Sequence, residues 1–260
     1  MSVTDNLQLV KKEIKNEIVY ITINNPPVNA LNRQLYKELE IAFGSVFDDV
    51  DKASCVIFTA EGKQFIAGND LNEEVENTKY EANLQSLYFA NTAMNIYNCP
   101  IPVIGAINGA AVGAGFCYAA LCDVLVAADT ARFGVTETKV GLIGALAFLP
   151  SMVPEKLGKY MSLTGELVPA QKLEAYGSVH KVVPREELMA AAEEVAEKVK
   201  LIPPEILKAW KRTYLYINPL DFCNIEHITD MFIDDVSECY NAQEARKAFL
   251  EKRKPVYKRK

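Results

Sequence analysis

Three segments of this 260-residue chain carry residue types suited to chemistry. The first is Phe65-Ile66-Ala67-Gly68-Asn69-Asp70-Leu71. The second is Asn108-Gly109-Ala110-Ala111-Val112-Gly113-Ala114-Gly115. The third is Arg132-Phe133-Gly134-Val135-Thr136-Glu137-Thr138-Lys139-Val140-Gly141. In the first two, small residues follow a strand-like run and open a loop or a helix. Glycine there lets a ligand approach the backbone closely, and a helix start leaves amide N–H groups without intrahelical partners. Two such donors converging on one oxygen would form an oxyanion hole. The same small residues equally serve tight helix packing, and both readings stand at this point. The spacing GxxxGxG is not the dinucleotide fingerprint GxGxxG, and no GK[ST] follows, so Walker-type phosphate binding is disfavoured. In the third segment Glu137 follows a buried strand-like run. A carboxylate beside an apolar cleft is a candidate general base; a lone loop glutamate is otherwise a solvated surface residue.

The elements that must position these groups can be read from periodicity. Ile18 to Ile23 is β-branched at nearly every position and reads as a strand, paired through a turn at Lys15-Asn16-Glu17 with a run around Leu7 to Val10. Asn24-Asn25-Pro26-Pro27 stops it, because proline cannot donate to a ladder. Apolar residues at 31, 35, 39, 42, 43, 46 and 47 have helical spacing. Cys55 to Ala60 is a buried strand, a polar loop is expected from Gly68 to about Glu76, and a helix through Tyr80 to Tyr97. Val103 to Ile107, a small-residue helix over Val112 to Leu121, and a strand at Val124 to Ala128 follow. The order β-β-α-β-α-β-α-β argues an α/β fold whose strands are buried by helices. From Ala170 the chain reads as mostly helical, with no linker or low-complexity segment.

Composition narrows the function classes. Half the residues are hydrophobic and the net charge is −6, which excludes global disorder. Asp and Glu outnumber Lys and Arg, 34 to 28, so nucleic acid is not expected as a partner. The one basic cluster runs from Lys252-Arg253-Lys254 to Lys258-Arg259-Lys260 and reads as a solvated helix end, or as an anion contact. Six Cys at 55, 99, 117, 122, 223 and 239 show no CxxC spacing, and the only His are 180 and 227, so neither a structural zinc site nor a disulfide framework is expected. Free thiols fit a reducing, cytoplasmic compartment. No secretory signal is visible, and the apolar stretch Ile101 to Ala128 is broken by Gly, Asn108 and Asp123, so it reads as core rather than as a membrane span. His180 and His227 read as structural, and Trp210, Tyr214 and Tyr216 as helix-packing residues.

Taken together, NNPPVNALN, FIAGNDL, CPIPVIGAINGAAVGAGF, CDVLVAADTARFGVTETKVGL, LTGELVPAQKLEAYGSVHKVVP and AFLEKRKPVYK resemble the crotonase superfamily, the enoyl-CoA hydratase/isomerase group, in order and over essentially the full length. The resemblance implies an α/β fold, a crotonase-like spiral of β-β-α units with two nearly perpendicular sheets. It further implies a spiral core over 1–200 and a helical C-terminal trimerisation region over 201–260, in a homotrimer or a hexamer. The substrate would be an acyl-CoA thioester, with coenzyme A as part of the substrate and no separate cofactor or metal. The amides of Ala67 and Ala114 take the place of the family's oxyanion donors. Ile66, Gly68, Asn69, Asp70, Gly113 and Cys117 are expected to line the substrate site, with the basic tail a candidate for the CoA phosphates.

The departures from the family pattern bear on the reaction. Family hydratases use two glutamates to position a water and deliver a proton. Glu137 keeps the second, but the first is Cys117 here, in Gly113-Ala114-Gly115-Phe116-Cys117. A thiol in an apolar site stays neutral, so Cys117 reads as buried filler. The family's G-[LI]-x-P-x-x-G-G continues here as Gly141-Leu142-Ile143-Gly144-Ala145-Leu146-Ala147-Phe148, without the Pro and the paired glycines and with bulky Leu146 and Phe148 in place of small residues. One base suffices to shift a double bond through a thioester dienolate, the pattern of an enoyl-CoA isomerase. A hydratase or related lyase, decarboxylation or thioester hydrolysis, and a non-catalytic CoA-thioester-binding paralogue are the alternatives.

Overall fold

In the computed structural model, which describes residues 3–258 apart from 77, 223, 226–227, 230–235 and 237–238, the run Ile18–Ile23 is a strand as expected, but its antiparallel partner is Val10–Lys15 rather than Leu7–Val10. Strands β1 (Val10–Lys15) and β2 (Ile18–Ile23) turn at Asn16 and Glu17, both in the left-handed region. Strands β3 (Cys55–Ala60), β4 (Val103–Ile107), β6 (Val124–Ala128) and β9 (Lys181–Val183) then extend the sheet in parallel, in the order β1-β2-β3-β4-β6-β9. Every residue of β3 and β4 is buried. Helices cover both faces, which is why these strands read as unbroken apolar runs.

Residues alternating along the strands divide the core. Val19, Ile21, Val56 and Phe58 face helices α1 (Arg33–Gly44), α3 (Lys79–Tyr97) and α4 (Ala114–Ala120), through Leu35, Leu39, Phe43, Ile96 and Phe116. Ile18, Ile57, Ile104 and Val126 face helix α8 (Leu188–Lys200) through Leu188, Ala192 and Ala196. Short strands β5 (Ala111–Val112), β7 (Arg132–Gly134) and β8 (Val168–Pro169) form a second sheet in the order β5-β7-β8. The chain continues through α5 (Leu149–Met152), α6 (Glu155–Thr164), α7 (Ala170–Ala175), α9 (Pro204–Ile217) and α10 (Tyr240–Leu250).

Several expectations need correction. The polar segment after Gly68 is not all loop: Leu71–Glu76 forms helix α2, and Thr78 then caps α3 through a capping box with Glu81. The small-residue helix starts at Ala114, because Ala111 and Val112 are drawn into β5 and Gly113 turns the chain. Helix α1 stops at Gly44 and tightens into a 3-10 turn over Ser45–Asp48, which leaves Phe47 exposed. Trp210, Tyr214 and Tyr216 do not pack into the core: Trp210 is 46% exposed and Tyr216 82%, while Trp210 and Tyr214 stack on each other with centroids 5.5 Å apart. His180 is exposed, and His227 and Cys223 lie outside the described residues. Cys55, Cys99, Cys117, Cys122 and Cys239 are free thiols. No helix among the described residues is long and apolar enough to cross a membrane.

Candidate active site

Three chain segments meet because the edges of short strands pair. Ile66 bridges Ala111 in parallel, and the Val112 N–H donates to the Ile66 carbonyl at 2.9 Å. Strand β5 pairs on its other side with β7, Ala111 opposite Phe133 and Val112 opposite Gly134. The Gly113 N–H donates to the Gly134 carbonyl at 3.0 Å. The segments 66–68, 111–114 and 133–137 therefore lie side by side, although some 70 residues separate the first from the last.

The glycine run divides into two functions. Gly115 serves packing: a Cβ there would lie 2.6 Å from both the Cβ and the carbonyl oxygen of Ile66, so only glycine lets α4 seat on that segment. Gly113 serves the turn: its φ of +58° and ψ of −121° suit glycine, and it reverses the chain from β5 into α4. A Cβ on Gly113 would lie 3.8 Å from the Gly68 Cα. The two glycine loops thus approach each other at the positions flanking Ala67 and Ala114. Both alanines are half-buried, and among the described residues neither amide N–H donates to a protein acceptor.

Glu137 opens a 3-10 turn, Glu137–Val140, three residues beyond β7. Its carboxylate lies between two glycines. A Cβ on Gly113 would come 3.2 Å from Glu137 Oε1, and one on Gly144 would come 3.3 Å from the same oxygen. The turn is tied on several sides. The Leu142 N–H donates to the Glu137 carbonyl at 2.9 Å, and Thr138 Oγ1 donates to the Ser162 carbonyl at 2.7 Å. Gly141, at φ +73°, packs so closely on the first turn of α10 that a Cβ would lie 2.4 Å from the Ala242 carbonyl oxygen. The missing proline at position 144 and the replaced glycines at 147 and 148 are accommodated by Ala145 in the left-handed region and by a 3-10 turn over Leu146–Phe148. Phe148 is buried there, and its ring lies 6.3 Å from that of Phe222.

Of the other expected site residues, Gly68 is buried, its carbonyl accepts from the Leu31 N–H at 2.8 Å, and the Asp70 N–H returns a bond to the Leu31 carbonyl at 3.0 Å. Asp70 spends one carboxylate oxygen on its own loop, accepting from the Asn72 N–H at 3.0 Å. Asn69 is exposed and accepts from the hydroxyl of Tyr36. Cys117 lies on the first turn of α4, 1% exposed and within the core. In the basic tail, the Arg253 guanidinium is already committed to Glu244 and Glu251, and Lys258 Nζ lies 3.9 Å over the ring of Tyr240. A cavity of about 380 Å³ opens between the Glu137 turn and the C-terminal segment, lined in part by Thr138, Leu142, Ile143, Ala245 and Tyr257. Its lining includes none of 66–70, 113 or 114, so it is distinct from the meeting point of the glycine loops.

Tyr36 and Thr138 are site-supporting residues that sequence reasoning did not single out. A tyrosine on an otherwise apolar helix face is a weak signal, because an intermediate burial tendency is usual for that side chain. Nothing local distinguishes Thr138 from any loop threonine.

A small-residue turn, a facing loop with an available amide, and one carboxylate beside the turn make up the candidate site. The family described as enoyl-CoA hydratase/isomerase matches residues 13–260, and the chain belongs to it, within the crotonase superfamily. Over 239 residues the chain is 32% identical to the (7aS)-7a-methyl-1,5-dioxo-2,3,5,6,7,7a-hexahydro-1H-indene-carboxyl-CoA hydrolase of Rhodococcus jostii, covering 92% of each chain. It is 30% identical over 249 residues to the short-chain-enoyl-CoA hydratase of Clostridium acetobutylicum, covering 93% of this chain and 94% of that one. The crystal structure of an enoyl-CoA hydratase/isomerase from Pseudoalteromonas atlantica superposes with a TM-score of 0.84 at 27% identity, over 96% of this chain and all of that one.

Proposed function

We propose that this protein is an acyl-CoA enzyme that stabilises a thioester enolate, and that its reaction is a double-bond shift in an enoyl-CoA. The amides of Ala67 and Ala114 receive the thioester oxygen. Ile66, Gly68, Asn69, Asp70 and Gly113 surround the acyl-CoA, Cys117 stays in the core, and coenzyme A enters as part of the substrate, with no separate cofactor. Glu137 removes a proton from C2 of a 3-enoyl thioester. The electron pair moves into the conjugated dienolate, whose oxygen is held by the two amides. The protonated Glu137 then returns its proton to C4, leaving the 2-enoyl thioester and the carboxylate restored. No water is consumed.

The observation that carries this reading is the asymmetry of the carboxylates. Glu137 lies beside Gly113, whereas position 117, where hydratases of this family place a second glutamate, holds a thiol buried in the core. A single carboxylate suits a proton shuttle; holding a water nucleophile takes a second polar partner. The hydratase among the relatives favours a second reading, hydration, with Glu137 and another group sharing the water. The α9 face bearing Ile206, Trp210, Tyr214 and Ile217 is exposed, which supports assembly of the chain into trimers, with pairing into hexamers as the further step.

Ultraviolet absorbance of the conjugated thioester separates the readings. Purified protein mixed with a 3-enoyl-CoA is expected to gain conjugation. Loss of conjugation from a 2-enoyl-CoA, with solvent oxygen in the product, would establish hydration instead. Silence on both, together with binding of CoA thioesters, would point to a non-catalytic paralogue.

A further inference from the structure

Tyr36 stands on helix α1, one turn beyond the Asn32 cap, and is 1% exposed. Its ring belongs to the same core as Leu35, Leu39 and Phe43. A phenylalanine would fill that volume equally well, and burying a phenol hydroxyl is unfavourable unless it is bonded. Here the hydroxyl donates to Oδ1 of Asn69 at 2.5 Å, reaching from the core to a residue of the candidate site. Asn69 itself is exposed, held between two backbone bonds that tie its neighbours Gly68 and Asp70 to Leu31. Segment 67–70 is therefore tied to Leu31 by two backbone bonds and to Tyr36 through a side chain. The side-chain tie can be removed selectively by substitution.

We infer that Tyr36 is a positioning residue: through Asn69 it fixes the 67–70 segment, and with it the direction of the Ala67 amide. The inference rests on the proposed oxyanion role of Ala67. Tyr36 touches no reacting atom in this arrangement. It acts by adding a side-chain anchor to a loop that backbone bonds also tie to Leu31.

The test uses Tyr36→Phe, Asn69→Ala and the double variant in the full chain, each measured for hydrogen exchange, thermal unfolding, and kcat and KM on a 3-enoyl-CoA. In Tyr36→Phe, exchange is expected to accelerate at 66–71 while the β2 strand stays protected. The same variant is expected to lose about tenfold in kcat with KM nearly unchanged, within the ~10²-fold that a 1 Å misplacement costs. The double variant should be no worse than Asn69→Ala alone, because both remove one contact. Unchanged exchange at 66–71, fully additive losses, or a fall in thermal stability with kcat intact would overturn the inference. A wild-type protein that turned over no acyl-CoA would overturn the oxyanion reading instead, and exchange at 66–71 would still decide whether Tyr36 holds the segment.

Discussion

Glu137 lies beside Gly113, the residue before Ala114; Glu137 and Ala114 are asked to do different jobs, so substitutions should separate them. Glu137→Gln keeps the shape of the side chain in its slot between Gly113 and Gly144 but cannot accept a proton. It is expected to lower kcat by roughly 10²–10⁴-fold while leaving thioester affinity nearly unchanged, as read by steady-state kinetics and by titration with a non-reactive thioester. Wild-type turnover in this variant would remove Glu137 as the base. Ala114→Pro deletes an amide N–H at the first position of α4, where proline is tolerated by the helix. Loss of one oxyanion donor costs about 10²–10³-fold in kcat, so this variant should fold, melt close to wild type and turn over slowly. An unimpaired Ala114→Pro enzyme would place the oxyanion elsewhere.

At the scale of elements, the C-terminal helices are fastened to the core by a few specific ties. Lys211 of α9 is 2% exposed, and its Nζ donates to both carboxylate oxygens of Asp123, at 2.7 and 2.6 Å. Asp123 Oδ2 also accepts from the Val103 N–H at 2.7 Å, so one carboxylate joins α9 to the start of β4. Lys211→Met strands that buried charge and is expected to destabilise the fold by roughly 3–5 kcal/mol, measured by chemical denaturation. Adding Asp123→Asn should recover most of the loss, since asparagine still accepts from Val103. The tail beyond α10 depends on Glu244, which accepts from Arg253 and from the Val256 N–H. The Arg253 guanidinium, with help from the Val256 amide, holds the Glu244 carboxyl at about 2, below its ordinary 4.5. A depressed value means the tie contributes fully above pH 4.5 and is lost as pH falls from there toward 2. Proteolysis or exchange of residues 251–258 should rise over that window in wild type, and Glu244→Gln should abolish the pH dependence.

For the whole molecule, the face of α9 is the feature that a single chain does not account for. Its buried positions are Leu207 and Lys211, while Ile206, Trp210, Tyr214 and Ile217 recur on the outer side at helical spacing. Apolar surface concentrated in this way marks an interaction site more often than chance exposure. If the proposed trimer forms through this face, Trp210→Glu is expected to convert it to monomer in sedimentation or light scattering, with secondary structure retained. A wild-type chain that sediments as a monomer at micromolar concentration would sink the trimer reading.

Four strands of the main sheet, β2, β3, β4 and β6, the mostly helical last third and the candidate carboxylate were legible in the residues, whereas the short strands β5, β7, β8 and β9 were not. Apolar periodicity is a local property, and the runs Ile18–Ile23, Cys55–Ala60 and Val124–Ala128 carry it without help from distant partners. What Gly113 and Gly115 each do was not legible, because both are small residues in one run. Only the packing of Ile66 against one and of Glu137 against the other separates a spacer from a site residue. Periodicity likewise said that Trp210 and Tyr214 lie on a helix, not which side of that helix meets the core. The bond from Tyr36 to Asn69 links positions 33 residues apart, and no local pattern encodes a partner at that distance. Side-chain chemistry and short-range spacing are written in the chain itself; which groups converge on one point depends on the β5 and β7 pairings that fold distant loops together.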